Sequence, residues 1–428
     1  MSTFVTNLRC VNCQAEFPID NPPFEGCPVC KTNNFISSVS AVYDYSKLSK
    51  IVDRDFFTKR SREMGVWRFQ ELLPVREDAN RITLGEGSTP LVRCERTAKE
   101  LRAKCVYIKD EGRNPTFSFK DRHAAVSVSM AVEQGARAVT IATSGNHGAA
   151  MAAYAAKVNL PAVIFTYPGY YQTMRTLIQI YGAYLFVTDV EGRWTLMREG
   201  MKHCGWYPIG NMTVIPSLHP FGHEGYKPIA YEICEDLNWN PPDYVFVPNG
   251  FSESFYGIWK GFKELKQLGL VGHTPCMVST EPATGGPLAE ACEREEPLVQ
   301  VDPDRARTTV ARGVACSRNS LIGWKAVHES GGKALKLTDS EIVTAQKEMA
   351  REGVFAECTA AIAFAGLSKL AKTTNLDGTV SVVVSSSCGL KDFTVIAGNQ
   401  PEPPVVSADF ESFKKVAADV YGVNFNQI

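Results

Sequence analysis

Apolar positions along this chain switch repeatedly between two spacings. Short β-branched or apolar runs end in glycine or a polar turn, and stretches with helical spacing follow them. From about residue 105 the reading becomes strand, glycine turn, helix, repeated. Residues 105–109 form a predicted strand, 119–134 a helix that stops at Gly135, and 138–142 the next strand. A small-residue helix follows at 149–157, then a strand at 160–165, a helix at 170–181 and a strand at 184–187. Further strands are predicted at 244–247, 276–279 and 380–384, each near a helical stretch. Such alternation predicts an α/β fold with parallel sheets covered by helices. Ligands of such folds bind at the carboxyl ends of strands, where loops meet helix N-termini. Residues 41–90 read as a helical and extended lead-in with a strand at 41–43. The proline-rich 401–404 reads as a linker to a terminal helix.

Length adds a domain estimate: 428 residues correspond to two or three domains at roughly 150 residues each. Forty-five basic and forty-six acidic residues leave a formal net charge of -1, so no basic field invites a nucleic-acid partner. No run approaches 18 apolar residues, so no membrane span is expected, and the N-terminus carries no apolar signal region. The 13 cysteines are odd in number and mostly irregular in spacing, which speaks for a reducing compartment, the cytoplasm, rather than a disulfide framework.

Four of those cysteines stand apart as C-x2-C-x13-C-x2-C: Cys10, Cys13, Cys27 and Cys30. Each C-x2-C pair can form a tight knuckle, and two knuckles supply the four sulfur ligands of a closed tetrahedral zinc site. Gly26 and Pro28 suit such turns. With no position open to water the metal would be structural, a Zn2+ clip for a segment of 1–40 too short to have its own core. Four free thiols are the plainer alternative.

Four loops could carry chemistry. In NPTFSFKDR (114–122), Lys120 falls in the first turn of a predicted helix, where the positive end of the helix dipole disfavours an ammonium and frees an amine. Alone, such a lysine is more often a solvated surface residue. TSGNHG (143–148) follows a strand and opens a helix, so its free N–H groups would converge on an anion such as a substrate carboxylate. A sharp strand-to-helix turn is the alternative. VPNGFSESFYG (247–257) could cradle a phosphate in the same way, although Glu253 would repel one. The serines at 385–387 after the strand 380–384 could contact a ring nitrogen without protonating it. His147, His223 and His273 lack the acidic spacing of a metal site, and Trp67, Trp194 and Trp259 read as packing residues.

Together these segments resemble the fold-type II enzymes of pyridoxal 5′-phosphate. NPTFSFKDR is similar to the motif of the Schiff-base lysine, which implies Lys120. TSGNHG is similar to the loop that binds the substrate carboxylate, and implies Thr143, Ser144, Gly145, Asn146 and His147, with Asn146 also facing the cofactor. The 247–257 segment stands where the phosphate loop would be, implying Gly250, Ser252 and Ser254, and Ser386 stands at the ring nitrogen. Within the superfamily the chain resembles threonine synthase, through VWRFQELLP, LGEGSTPL, HEGYKPIAYEI, GVFAECTAA and GLKDF, and through the amino-terminal zinc ribbon. It departs where that family has TGNT-like and GNAGN-like loops: this chain reads SGNHG and GFSES.

The resemblance implies two mostly parallel, helix-covered sheets preceded by the ribbon. A larger cofactor-binding domain would comprise 41–130 and 235–400, a smaller mobile substrate-side domain 131–234, and a linker and helix 401–428. It also implies a small amino-acid substrate and allows a homodimer. The activity implied is a lyase converting O-phospho-L-homoserine and water to L-threonine and phosphate, with Ser118, Thr143, Lys227 and Arg312 as candidates for holding the anionic leaving group. Two other readings stay open. One is an elimination or replacement enzyme acting on another amino acid, as in serine/threonine dehydratases, which share SGNHG. The other is a non-catalytic interaction module.

Overall fold

The computed structural model describes residues 3–143, 145–169, 172–397 and 402–423. It divides into two compact units, Met1–Lys391 and Asp392–Ile428. The second contains two helices, Thr394–Ala397 and Phe410–Tyr421. Asp409 caps the longer one by accepting from the Ser412 N–H, so the terminal helix lies where the sequence placed it.

In the first unit, an antiparallel sheet of β1 (Val5–Cys10), β2 (Glu16–Phe17) and β3 (Val39–Tyr43) opens the chain, with β1 in the middle. The chain then forms β4 (Leu91–Arg93) and β5 (Cys105–Asp110). It next lays down β6 (Val139–Ala142), β7 (Ala162–Thr166), β8 (Tyr184–Val187) and β9 (Tyr207–Pro208). Finally it forms β10 (Tyr244–Pro248), β11 (Cys276–Pro282), β12 (Lys333–Leu337) and β13 (Val380–Ser385). A four-stranded sheet, β8-β7-β6-β9, is parallel throughout. A six-stranded sheet, β12-β11-β10-β13-β5-β4, is parallel except for the edge pair β4 and β5. The central strands are apolar on both faces, as in Val382–Val384 and Val245–Val247, because helices cover both sides.

Every strand predicted from the hydrophobic runs is present, with ends shifted by at most three residues. Outside the amino-terminal sheet, strands β4, β9 and β12 were not foreseen. The first two have three and two residues, and β12 reads KALKL, whose lysines mask a strand pattern. The lead-in contains only short turns of helix, broken at Gly65 (φ 60°). The small-residue helix starts earlier than expected, at Asn146, so part of the candidate anion loop is its first turn.

The helix Lys120–Glu133 lies in the core, with Ala124, Ala125, Val126, Val128 and Met130 fully buried. It packs on the helix Asn146–Lys157 and on the turn Gly222–Tyr226. Close approach is possible because Gly225 has no side chain: a Cβ there would lie 2.1 Å from the Arg122 carbonyl oxygen. Among the described residues no helix is long and apolar enough to cross a membrane. Trp67, Trp194 and Trp259 are buried packing residues, as expected.

Candidate active site

Two loops are stitched together by backbone hydrogen bonds. The Phe119 N–H donates to the Ser386 carbonyl (2.9 Å) and the Cys388 N–H donates to the Phe117 carbonyl (3.0 Å), making a bridge between Ser118 and Ser387. The loop before Lys120 therefore lies against the loop leaving β13. Asp121 secures its other side by accepting from the Thr116 N–H and hydroxyl, both at 2.9 Å. Lys120 projects from this frame, half-buried, with its ammonium nitrogen 5.1 Å from the Phe119 ring centre and 5.5 Å from that of Tyr226. Burial pushes its pKa below the ordinary lysine value, while nearby Glu253 pulls the other way.

Beneath Lys120 sits Arg122, fully buried between two carboxylates. Its guanidinium donates to Glu111 at 2.6 and 2.8 Å and to Glu232 at 2.7 Å twice. Lys109 adds a second cation to Glu232 at 2.9 Å. Paired planar groups of this kind fix the helix start in position and register.

Residues 143–148 follow β6 and run into the helix Asn146–Lys157. Thr143 is buried and its hydroxyl accepts from the Gly145 N–H at 3.2 Å. Ser144 lies outside the described residues. Asn146 is held at both ends: its Oδ1 accepts from Lys391 Nζ at 2.6 Å, and its amide nitrogen donates to Glu357 at 3.2 Å. Neither partner stood among the candidate residues, although both occur in segments that resembled the family. They lie 245 and 211 positions away, so no local spacing signals the contact.

At the end of β10, Ser252 adopts a left-handed conformation (φ 68°) ahead of the helix Glu253–Gln267. Gly323 makes room for it, since a Cβ there would lie 2.1 Å from the Ser252 hydroxyl. Gly250 faces Cys316, whose sulfur would be 3.1 Å from an added Cβ, and burial pushes that thiol up to about 12. Ser254 is buried in the first turn of the helix. Glu253 turns to His123, with Oε1 3.1 Å from Nε2, and also accepts from the His219 N–H at 3.3 Å. Its carboxylate is thus turned to N–H donors. His123 in turn meets His147, Nδ1 to Nε2, at 3.1 Å. His123 and His219 are residues that sequence reading passed over.

Several buried polar atoms around these strand ends have no partner among the described residues: Ser118 Oγ, Asn249 Oδ1, Ser252 Oγ, Ser385 Oγ and Ser387 Oγ. An unsatisfied buried polar group costs roughly 1–3 kcal/mol, so this set suits a polar guest. Arg312 is exposed on the turn Arg312–Val314, beside the Gly250 loop. Lys227 corrects an expectation. It is fully buried, 2.7 Å from Glu224 and 3.0 Å from Glu264, with its ammonium 4.0 Å from the Tyr43 ring centre. Both carboxylates compensate it inside the core, so it is not available to an anionic leaving group.

In the amino-terminal segment, the sulfurs of Cys10, Cys13, Cys27 and Cys30 all lie within 4.8 Å of one another. Cys10 and Cys30 are 3.7 Å apart and Cys13 and Cys27 3.6 Å. Four sulfurs about 2.3 Å from a central zinc in tetrahedral geometry would be about 3.8 Å apart. The Asn12 N–H also donates to Cys10 at 3.4 Å, which supports a thiolate there. The cluster is the one group among the described residues arranged to hold a metal ion. Strand β3, which follows it, joins the rest of the unit: the Tyr43 hydroxyl donates to Glu224 at 3.0 Å, and Lys260 donates to the Ala41 carbonyl at 2.6 Å.

The pattern of known proteins agrees with this geometry. The family described as "Pyridoxal-phosphate dependent enzyme" matches residues 82–389. A threonine synthase of Methanocaldococcus jannaschii is 34% identical over 96% of this chain and 99% of its own length. One from Methanosarcina acetivorans is 32% identical over 96% and 98%. Among solved structures, maize serine racemase superposes with a TM-score of 0.64 over 82% of this chain and 97% of its own, at 17% identity, which speaks for the fold. With its strand-end loops, its desolvated lysine and these relatives, the chain belongs to the pyridoxal-phosphate-dependent enzymes and, within them, to the threonine synthase-like lyases.

Proposed function

We propose that the protein converts O-phospho-L-homoserine and water to L-threonine and phosphate. The observation that carries this reading is the identity to threonine synthases over nearly the whole chain. The cofactor supplies an electron sink for carbanion chemistry at the amino acid when bound. Lys120 would hold it, and as a free amine would move the proton at the substrate Cα. Its lowered pKa favours the neutral amine that this role needs. Gly250, Ser252 and Ser254, with the first N–H groups of the helix Glu253–Gln267, would hold the phosphate of the cofactor. The unpartnered hydroxyls of Ser118, Ser385 and Ser387 and the neighbouring Ser386 would surround its ring. Asn146, oriented by Lys391 and Glu357, would contact both cofactor and substrate, and the backbone of residues 143–148 would take the substrate carboxylate. Arg312 is the remaining charged candidate for the leaving phosphate.

The four-cysteine cluster would hold a structural Zn2+, because four sulfurs fill its coordination sphere. Thirteen cysteines without a disulfide among them fit a cytoplasmic location.

The test is a product screen of the protein reconstituted with pyridoxal phosphate. O-phosphohomoserine should yield threonine and phosphate in equal amounts, while threonine, serine, O-acetylserine and O-phosphoserine should not turn over comparably. Keto acid from serine or threonine, with no turnover of O-phosphohomoserine, would instead favour the dehydratase-like reading suggested by SGNHG.

A further inference from the structure

Glu253, His123 and His147 form a hydrogen-bonded chain that the reading above does not use. Glu253 Oε1 lies 3.1 Å from His123 Nε2, and His123 Nδ1 lies 3.1 Å from His147 Nε2. The two rings meet edge to face with centres 4.2 Å apart. Direction along the chain follows from the carboxylate. An ionised Glu253 can only accept, so His123 carries its proton on Nε2 and accepts at Nδ1. The Ser127 hydroxyl, 3.2 Å from the same Nδ1, donates to the His123 carbonyl at 2.8 Å, so His147 carries the proton on its Nε2, which leaves a lone pair on its own Nδ1. Among the described residues that Nδ1 has no partner, and His147 is half-buried in the loop that holds Asn146. Three groups from separate parts of the chain thus fix the orientation of one imidazole, which lies near enough to Lys120 to feel its charge.

We propose that His147 is a second proton-transfer residue of this enzyme: its Nδ1 takes the proton released when water adds to the substrate, with His123 and Glu253 as positioning residues. The proposal rests on the water-adding reaction proposed above. The proton leaves water as its oxygen bonds to carbon, and the Nδ1 lone pair accepts it. The positive charge on His147 is then shared through His123 with the Glu253 carboxylate, as in other carboxylate–imidazole pairs. Lys120 keeps the separate task at Cα.

The surroundings favour a base. Burial holds the His147 pKa well below the ordinary histidine value, and His123, Lys120 and His219 add to this as like charges, while Glu253 opposes them. His147 is therefore neutral at pH 7 and ready to accept a proton. The groups facing the chain are Lys120 and His123 from the helix Lys120–Glu133, Glu253 from the helix Glu253–Gln267, and His219 and His223 from the segment before the latter. Glu253 is the acidic member of this set, so removing its charge should lower the His147 pKa further.

The test compares wild type, His147→Gln, His147→Asn and Glu253→Gln as full-length holoenzyme. His147→Gln should lower kcat by about 100-fold or more and abolish the acidic limb of the kcat profile, which wild type should show below the ordinary histidine pKa of about 6.5. Exchange of the substrate Cα hydrogen with deuterated water, the task of Lys120, should stay within about twofold. Glu253→Gln should move the limb to lower pH. In the cofactor-free full chain, nitrogen NMR of the histidine rings should find His147 neutral and protonated on Nε2. Retained kcat with an unchanged limb in both His147 variants would overturn the proposal, as would a proton on Nδ1 or parallel loss of exchange and turnover. If wild type turns over another amino acid and not O-phosphohomoserine, the substrate reading fails by itself. The same comparison on the amino acid that does react then decides the role of His147.

Discussion

Lys391 Nζ donates to Asn146 Oδ1 across 2.6 Å, and this contact sets which way the amide turns. With its oxygen occupied, Asn146 presents its NH2 group toward Glu357. Burial lowers the Lys391 pKa, while Glu357 and Asp121 oppose that shift. The amide is thereby locked by two charged neighbours rather than left to rotate.

Lys391→Met should release that lock and lower kcat by about 10-fold or more, since misplacement by about 1 Å at a reacting centre is enough for such a loss. Lys391→Arg, which keeps a donor, should recover part of it. Steady-state kinetics on the holoenzyme would read both; equal kcat and KM in wild type and Lys391→Met would count against the orienting role.

Arg122→Met should destabilise the fold by about 3–5 kcal/mol, because it strands Glu111 and Glu232 in the core. Urea unfolding measures this. The variant also tests the acid limb of stability. Burial alone would raise the Glu232 pKa, but Arg122 and Lys109 outweigh it and hold it well below the ordinary value. A carboxylate depressed in the folded state stabilises fully above its unfolded pKa of about 4.3, and this contribution fades as pH falls toward the folded value. Stability of wild type should therefore decline below about pH 4.3, and less steeply in the variant.

Lys227→Met should cost about 3 kcal/mol or more of stability while leaving KM for a phosphorylated substrate unchanged, since its ammonium belongs to Glu224 and Glu264. Arg312→Ala should instead raise KM for that substrate. It is exposed beside the Gly250 loop, and loss of a charged hydrogen bond to a phosphate corresponds to about a 10-fold rise in KM. A KM effect confined to Lys227→Met would reverse this assignment.

Metal analysis should find one zinc per chain, and removing it should lower Tm by about 5 °C or more. The cause is mechanical as well as local: β3 follows the cysteines and supplies Ser40 and Tyr43 to the buried carboxylate Glu224. The folded, zinc-free protein should still bind and react with pyridoxal phosphate. Complete loss of cofactor binding in a folded zinc-free sample would make the metal more than a structural clip.

Local signals were enough for much of this. The inner strands β7, β10 and β13 are mostly apolar runs, and such runs are readable because burial on both faces leaves little place for polar residues. The cysteine spacing also announced its cluster, since a knuckle needs only adjacent residues. The lysines of β12 hid a strand for the opposite reason: it lies at a sheet edge, where only Leu337 is buried.

Sequence by itself determined the α/β alternation, the zinc-type cluster, and the loops around Lys120, Asn146 and Gly250, because each depends on residues a few positions apart. Only the tertiary structure decided what those loops contain. It spent Lys227 on two core carboxylates, turned the Glu253 carboxylate to His123, and brought Lys391 to Asn146. The charge of a side chain is written in the sequence. Which opposite charge it meets is set by the packing of distant elements, and in a desolvated interior that meeting determines its protonation and its use.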